Sequence, residues 1–384
     1  MIFEFSTDSS NYAYLTVSVN AGSEWKFFSA IYVPIGSNPY RIKFDLSEIV
    51  KTFLPLPQLE DVDVITANVI DFITDYSIEL EQDDAVYNFD GKVLPGGVSK
   101  KMLRYLQENN TDIFAFKYQN FSRNFFLTTR SDGRHIVLKE SELTPFYFIG
   151  SQNTITILTD QERTYVLSSI DESNVYALDL NVLRKLNFYI YNEMPVYFAV
   201  LVNGDFVFDI TLLKSSLSSN RQVIEFLNSL HVPERIEITG KPISEPEFDE
   251  LLPFNTYDNR IDDYLEAHDR RAITEVIHAE AGYKSIQEFH FIRDMLQSSE
   301  QFLVKNDGKK LPVIISCDSF KHDMIPVAPG SVPLTIRSIE KEINYSPEVD
   351  LSDVLHFREE WFKNGYLNAM GLIYASSLIY SPNI

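Results

Sequence analysis

Histidine residues are the first to test for chemistry, because imidazole serves both in metal binding and in acid–base catalysis. No two of the seven histidines are spaced i, i+4, which would place both rings on one helical face toward a metal. They are His135, His231, His268, His278, His290, His322 and His356. The most ligand-like patch joins His268 to Asp262, Asp263, Glu266 and Asp269, and we interpret it as a solvated acidic face. We therefore predict no metal site.

The single cysteine, Cys317, ends an apolar run at residues 313–317 and has no histidine close to it in sequence. This setting is typical of a buried structural thiol rather than a nucleophile. One cysteine also excludes an internal disulfide, a cysteine-based zinc site and a CxxC redox motif. The sequence contains no glycine-rich phosphate loop, nucleophile elbow or HExxH motif. We therefore predict that the chain is not an enzyme and takes no cofactor.

The acidic stretch at residues 79–90 fits a calcium loop at two ligand positions only. With Gly91 at loop position six, Val86 and Gly97 fall where an EF-hand requires carboxylates. An EF-hand is excluded, whereas an irregular cation site on clustered acids stays open. A glycosidase-like pair of carboxylates is equally uninformative, because among 55 acidic residues some pair will meet that geometry by accident.

Charge and composition narrow the class of protein. The 384 residues carry a net charge of −22, which repels phosphate backbones and anionic membrane surfaces. Apolar residues make up 45% of the chain and aromatic residues 13%, enough to build a core and too many for a disordered chain. We expect neither direct nucleic-acid binding nor membrane insertion, and the apolar runs are too short to span a bilayer.

Alternation of apolar and polar residues dominates the chain and predicts a mainly β protein. The clearest strands are predicted at residues 15–19, 76–80, 154–157, 235–239 and 332–336. Turn pairs that accept a positive φ separate other candidate strands. These pairs are Asp90-Gly91, Asp132-Gly133 (joining 125–129 to 135–138), Asn203-Gly204 (joining 197–202 to 206–210) and Asp307-Gly308 (joining 302–305 to 312–317).

Helices are predicted to be few and short, at residues 45–51, 99–106 and 285–298, the last opened by a capping box of Ser285 and Glu288. Residues 44–51 align without gaps on residues 178–185, and both copies end a strand and open a helix. Duplication of a β domain and chance both explain this echo. We predict tandem antiparallel β-sandwich-like domains at 1–150 and 151–350, with a helix and an apolar arm at 351–384.

The last 24 residues concentrate apolar and aromatic side chains that would be costly to leave in water. The segment either packs on its own domain or reaches a neighbouring subunit, where apolar terminal segments commonly add a strand to a sheet edge. Our candidate interface residues are Trp361, Phe362, Tyr366, Leu367, Met370, Leu372, Tyr374 and Tyr380.

Residues 196–345 resemble a family of tail-associated structural proteins encoded by phages and prophages of gut Bacteroidetes. The resemblance rests on a hairpin at 196–210, on Phe226-Leu227-Asn228-Ser229-Leu230 followed by Ile236-Glu237-Ile238-Thr239-Gly240, and on Gly282-Tyr283-Lys284-Ser285 opening a helix. The sequence departs from the family at His231-Val232-Pro233, where small residues are usual. The resemblance implies a virion tail or baseplate component with β-sandwich domains, ring-like homo-oligomers and no enzymatic activity.

The leading hypothesis is therefore a distal-tail, adaptor or hub-like ring protein that contacts other tail proteins. Such a protein would be made in the host cytoplasm, in agreement with an opening sequence, MIFEFSTDSS, that has no secretory character. The alternative is a carbohydrate-binding, adhesin or receptor-binding module, in which exposed Tyr and Trp stack on sugar rings. The small number of tryptophans argues against it, since the chain has only Trp25 and Trp361. A hydrolase on a β scaffold comes third.

Overall fold

The computed structural model describes residues 2–21, 24–54, 65–69, 72–109, 126–130, 135–150, 154–167, 174–218, 220–305, 308–321 and 330–342. The helices of this part of the chain are α1 (Ser47–Phe53), α2 (Lys100–Glu108), α3 (Leu180–Tyr191) and α4 (Ile286–Gln297). Its strands are β1 (Ile2–Thr7), β2 (Ala13–Ala21), β3 (Glu24–Tyr32), β4 (Tyr40–Asp45), β5 (Thr66–Val69), β6 (Thr74–Gln82), β7 (Ala85–Val93), β8 (His135–Lys139), β9 (Phe146–Ile149), β10 (Ile155–Thr159), β11 (Thr164–Leu167), β12 (Val175–Leu178), β13 (Tyr197–Val202), β14 (Asp205–Leu213), β15 (Gln222–Leu227), β16 (Pro233–Ile238), β17 (Ile243–Ser244), β18 (Glu247–Phe248), β19 (Pro253–Asp258), β20 (Asp263–His268), β21 (Ile273–Glu280), β22 (Gln301–Val304), β23 (Lys310–Ser316) and β24 (Pro333–Glu342). The predicted mainly β, sandwich-like fold is confirmed.

The first core lies under a four-stranded antiparallel sheet of order β3-β2-β6-β7. Alternation along β2 buries Ala13, Leu15, Val17 and Val19 completely, while the residues between them face outward. The two-stranded sheet β1-β4 supplies further core residues, including Ile42 and Phe44, and α1 follows β4 directly.

The second core lies between a five-stranded sheet, β11-β10-β13-β14-β8, and a three-stranded sheet, β5-β12-β9. Its strands pair antiparallel except for β8, which runs parallel to β14. The predicted boundary at residue 150 falls between β9 and β10, and strands from both sides of it share these two sheets.

The third core is built by the sheet β16-β15-β22-β23-β24-β21-β17, against which α4 packs Phe289, Ile292 and Met295. The predicted capping box is present, since the hydroxyl of Ser285 accepts from the backbone N–H of Glu288, and the carboxylate of Glu288 accepts from that of Ser285. Burial raises the pKa of Glu288, but the Lys284 ammonium and these hydrogen bonds outweigh it and hold that pKa below its ordinary value.

Two of the predicted turn pairs follow the expected pattern where the structure describes them. Asn203 and Gly204 both have positive φ and connect β13 to β14, and Gly308, also with positive φ, precedes β23, which pairs with β22. Residues 131–134 and Asp307 lie outside the described residues.

The prediction of a turn at Asp90-Gly91 is wrong. Both residues lie inside β7, opposite Ser77 and Tyr76 of β6. The chain reverses instead at Asp83-Asp84, where both residues adopt positive φ. Aspartate tolerates this conformation nearly as Asn does, so the tight turn needs no glycine.

The predicted hairpin between residues 125–129 and 135–138 is also wrong. Phe126 forms a bridge with Phe148, and β8 pairs with β14 rather than with the residues just before it. The reason is burial: Phe126 enters the second core edge-on to Phe208, a packing that a local hairpin would not provide.

The two echoed segments have the same local structure. Asp45 and Asp179 each end or follow a strand and precede a helix, and each carboxylate accepts a hydrogen bond from the backbone N–H two residues ahead. Hydrogen bonds from the Ser47 hydroxyl and N–H lower the pKa of Asp45. The predicted helices at 45–51, 99–106 and 285–298 correspond to α1, α2 and α4, with their ends displaced by a few residues.

Candidate functional site

A set of buried charged side chains lies where the second and third cores meet, and we call it the junction network. Arg130 is at its centre, donating from Nη1 to Oε2 of Glu142 at 3.2 Å and from Nη2 to the backbone carbonyl of Arg235. The Arg130 guanidinium also lies 4.2 Å from the centroid of the Phe291 ring on α4. One cation therefore holds the turn after β8, strand β16 and helix α4 together.

The carboxylates of the junction network each accept several hydrogen bonds. Oε1 of Glu142 accepts from the backbone N–H of Glu237 at 2.7 Å, and its Oε2 accepts from that of Lys139 at 2.9 Å. The fully buried carboxylate of Glu237 accepts from Nζ of Lys139 at 2.8 Å and from the Ser141 hydroxyl at 2.6 Å. On the far side, Nζ of Lys284 donates to the Glu237 carbonyl at 2.8 Å. These contacts make the network a clamp between elements.

Glu234 is the group in this network whose chemistry most resembles an active site. Burial raises the pKa of its carboxyl, although the Arg130 guanidinium and several hydrogen bonds act in the opposite direction. The Thr128 hydroxyl donates to Oε1 at 2.5 Å, and the Asn228 amide and Thr129 N–H donate to Oε2 at 2.7 and 3.2 Å. A raised carboxyl pKa is common at catalytic sites.

A buried carboxyl such as Glu234 can belong to a substrate site or to a structural network, and the volume of the space beside it bears on that choice. Glu234 lines a cavity of about 20 Å³ together with Arg130, Glu142 and Tyr147. That volume holds about one water molecule, whereas small-molecule sites are roughly 300–1,000 Å³. Among the described residues, the cavity beside Glu234 is therefore smaller than an ordinary small-molecule site, and what the junction network visibly does is to connect elements of the second and third cores.

A hairpin arm, residues 249–271, carries β19 and β20 away from the third core. The arm begins where the Asp249 N–H donates to the Ala272 carbonyl at 2.9 Å. One of its faces presents Phe254 and Leu265, and the other a Tyr257–Tyr264 pair with ring centroids 5.2 Å apart. Almost every residue of the arm is exposed, and an isolated two-stranded hairpin is at best marginally stable in water.

Helix α3 carries apolar side chains on its exposed side as well as on its buried side. Its buried side includes Arg184, which donates to Glu140 at 2.6 Å. Its outward side carries Leu186, Tyr189 and Ile190, and Tyr189 is 90% exposed. The helix therefore leaves a tyrosine and two aliphatic side chains exposed next to one another.

The sheet over the first core carries a third exposed apolar row. Trp25, Phe27 and Ile31 lie on the outward side of β3, with Tyr14 beside Ile31 on β2. In the described chain, β3 pairs only with β2 and forms an edge of its sheet.

The residues predicted from the sequence fall mostly elsewhere. All eight candidate interface residues lie at 361–380, outside the described residues, as do His322 and His356. Cys317, predicted to be buried, is half-buried and packs against the third core.

The acidic patch around His268 lies on the hairpin arm. There the Tyr257 hydroxyl donates to Asp262, and Asp258 pairs with Arg260 at 2.7 Å. Hydrogen bonds from Arg260 lower the pKa of Asp258. Within the described ranges, no group of three or more His, Cys, Asp or Glu side chains is arranged to hold a metal ion.

Sequence reasoning missed all three exposed surfaces and the junction network. The surface of α3 had a readable signal, because Leu180, Leu183, Arg184 and Asn187 follow the i, i+3, i+4, i+7 spacing of one buried face. The junction network had none, since Arg130 and the Arg235 carbonyl that it contacts are 105 positions apart.

The fold and surfaces together define a mainly β protein with antiparallel sheets and exposed apolar elements. None of the helices in the described part of the chain has the length and apolar character that crossing a bilayer requires. Comparison with protein-family models, curated proteins and solved structures returns no match.

Proposed function

We propose that this chain is a structural assembly protein of a phage tail or baseplate, forming an oligomeric ring and contacting other tail proteins without catalysing a reaction. The observation that carries the proposal is the hairpin arm, which exposes apolar and aromatic side chains on both faces. Phe254 and Leu265 stay 46% and 44% exposed in the single chain. A second surface packed on the arm would supply the burial that an isolated hairpin lacks.

Two further features support assembly in a tail. The outward faces of α3 and β3 add separate apolar patches, and a subunit of a closed ring needs at least two contact surfaces of its own. The charge of −22 suits a conduit through which DNA passes without adhering. The assignment to a tail, rather than to another assembly, rests on the resemblance of residues 196–345.

The arm can be tested with a paired substitution and a matched control. Phe254→Ser with Leu265→Ser removes the apolar face of the arm, whereas Asn259→Ser changes an exposed residue between its strands. We expect the first variant to lose ring-sized particles in light scattering and negative-stain microscopy, and the control to keep them. Both should unfold within about 0.5 kcal/mol of the wild type, because surface changes alter folding little.

The proposal fails if the wild-type chain stays monomeric at high concentration and in co-expression with the products of its neighbouring genes. It also fails if the double substitution leaves the assemblies unchanged.

The exposed row of Trp25, Phe27 and Tyr14 favours a second candidate, a carbohydrate-binding or adhesin module. Flat aromatic rings offer stacking surfaces for sugars, and Glu79 and Glu81 on the same sheet face could accept hydrogen bonds from hydroxyl groups. A monomer that is retarded on immobilised polysaccharide, and that loses this retardation in Trp25→Ala, would favour the adhesin.

A further inference from the structure

We infer that the hairpin arm of one copy of this chain docks along α3 of a neighbouring copy, with Asp263 of the arm beside Lys185 of the helix. This contact rests on the assembly proposed above and names the surface that receives the arm. Three observations carry it: both elements are uncovered in the single chain, their charges are opposite, and their apolar and charged residues follow the same order.

The face of the arm that carries Phe254 and Leu265 is apolar near the base and acidic near the tip. The pairing of β19 with β20 places Asp258 and Asp263 on this same face, next to the turn. Asp258 pairs with Arg260 at 2.7 Å. Asp263 is exposed, and no described residue forms an ion pair with it. In the described chain, this face therefore keeps one carboxylate without a cation.

The exposed stripe of α3 is apolar and has a cation at its N-terminal end. Its residues recur at the three- and four-residue spacing of one helix face: Lys185, Leu186, Tyr189 and Ile190. Helix α3 contains no acidic residue from Leu180 to Tyr191. Lys185 is exposed and makes no ion pair with a described residue. The stripe therefore complements the arm in both polarity and charge.

The arm and the helix do not cover each other within one chain. Tyr189 and Leu265 both remain exposed in the single chain, so an arm that covers α3 must come from another copy. Two different patches that meet between copies form a heterologous contact, which generates a ring when its rotation closes. The contact thus has the symmetry that a ring subunit requires.

Charge disfavours the sheet over the first core as the surface that receives the arm. The exposed apolar row on β2 and β3 shares a sheet face with Glu79 and Glu81 of β6. A docked arm would bring the Asp263 carboxylate toward these acids, and like charges that face one another across an interface oppose binding. The stripe of α3, which carries no acid, avoids this repulsion.

Apolar area disfavours α2 in the same role. The charge of α2 suits an acidic arm, because the helix carries Lys100, Lys101 and Arg104. Among its described residues, however, Tyr105 is the one large apolar side chain that is exposed. The apolar face of the arm would stay largely uncovered there, whereas α3 offers three apolar side chains beside its lysine.

The order of residues sets the direction in which the arm lies on α3. Lys185 and Tyr189 are about 6 Å apart along the helix axis, and Asp263 and Leu265 are about 7 Å apart along their strand. Placing Asp263 at Lys185 therefore brings Leu265 to Tyr189. The reverse direction would place the carboxylate against the apolar end of the stripe, at Ile190, and leave both charges unpaired.

The other face of the arm suits α3 less well. Its central pair, Asn255 and Glu266, lies between the base of the arm and the Tyr257–Tyr264 pair. A helix lying along this face would bury an amide and a carboxylate in the middle of the contact, which is costly when they lack partners. On the Leu265 face the acidic pair lies at one end instead, where it meets the lysine.

A charge exchange between the two elements tests the contact. Asp263→Lys and Lys185→Glu each turn the attraction into a repulsion, and the two together restore it with the signs reversed. The assay is sedimentation velocity of the full chain, alone or with the co-expressed products of its neighbouring genes. Each single variant should raise the concentration at half-assembly about tenfold. The double variant should return it to within about twofold of the wild type.

Two matched controls make the same exchanges at exposed sites outside the contact. Glu266→Lys reverses a charge on the opposite face of the arm, and Lys101→Glu reverses one on α2. Neither Glu266→Lys with Lys185→Glu nor Asp263→Lys with Lys101→Glu should restore assembly. Urea unfolding of every variant should match the wild type, because all four positions are exposed.

The outcomes separate this contact from the proposed function. Rescue by the exchange of residues 185 and 263 alone supports the contact. Three results would overturn it while leaving the assembly proposal intact: assembly that survives both single variants, single losses that the double variant does not restore, or rescue through Glu266→Lys or Lys101→Glu. A wild-type chain that stays monomeric, alone and in co-expression, would overturn both.

Discussion

Replacing Arg130 by methionine tests the junction network directly. The side chains of Arg130 and Glu142 are 8% and 3% exposed, so their ion pair belongs to the buried class, in which removal of one partner costs about 3–5 kcal/mol. Glu142 keeps its two backbone N–H donors, which places the expected loss near the lower end, about 3 kcal/mol. Loss of the contact with the Phe291 ring adds about 1 kcal/mol.

The assay must be local, because a chain with several cores need not unfold in one step. Amide hydrogen exchange at Glu237 reports on the network, since that N–H donates to Glu142. We expect Arg130→Met to lower the free energy of opening there by about 4 kcal/mol, or by the whole local value where that is smaller. Arg271→Met is the matched control: an exposed arginine over an aromatic ring, Phe248, with an expected cost of about 0.5 kcal/mol.

A double-mutant cycle then identifies the cause of the loss. Glu142→Gln removes the charge that Arg130 neutralises, so the double variant should lose about 2 kcal/mol less than the sum of the single losses. If Arg130→Met costs no more than Arg271→Met, or if the two junction substitutions are additive, the clamp assigned to this ion pair is refuted.

Three further predictions follow from single residues. Since the pKa of Glu234 in the folded protein is raised above 4.5, the folded chain holds a proton that the unfolded chain has released. The stability of the wild type relative to Glu234→Gln should therefore fall as pH rises from the pKa of Glu234 in the unfolded chain, near 4.5, to its higher pKa in the folded chain. Urea unfolding measured across that range checks this, and a stability that rose with pH would contradict it. Asp179→Ala should cost about 1 kcal/mol and speed amide exchange in α3, because its carboxylate caps that helix, whereas Asp179→Asn should cost less. Gly96→Ala should cost at least about 2 kcal/mol in thermal unfolding, because Gly96 has a φ of +90° and its Cβ would lie 2.6 Å from the Ser229 carbonyl. Gly97→Ala, with open space at Cβ, should be nearly neutral.

Local patterns in the sequence predicted most of the fold, because alternation and capping depend on neighbouring residues. The run around Val17 and the capping box at Ser285 are confirmed in β2 and α4. The prediction of a turn from residue type was wrong at Asp90-Gly91. This dipeptide is common in turns, but here the pairing of β7 with β6 places it inside a strand.

Long-range pairing was beyond the reach of the sequence. The parallel contact of β8 with β14 joins residues 74 positions apart, and no local pattern distinguishes it from a hairpin with the preceding segment. The exposed apolar surfaces of α3, β3 and the hairpin arm were missed for a related reason. Exposure of Leu186 or Leu265 depends on what the fold leaves uncovered, whereas hydrophobicity alone predicts that such residues are buried.

The junction network also has a consequence for biosynthesis. Thr129 and Arg130 emerge from the ribosome 105 positions before their partners Glu234 and Arg235. At about 5–20 residues per second, translation of that interval takes roughly 5–20 s. During this time Thr129 and Arg130 lack the Glu234 carboxylate and the Arg235 carbonyl that they contact in the folded protein. Chaperone occupancy on stalled nascent chains should therefore peak before residue 235 and fall once β16 has left the exit tunnel.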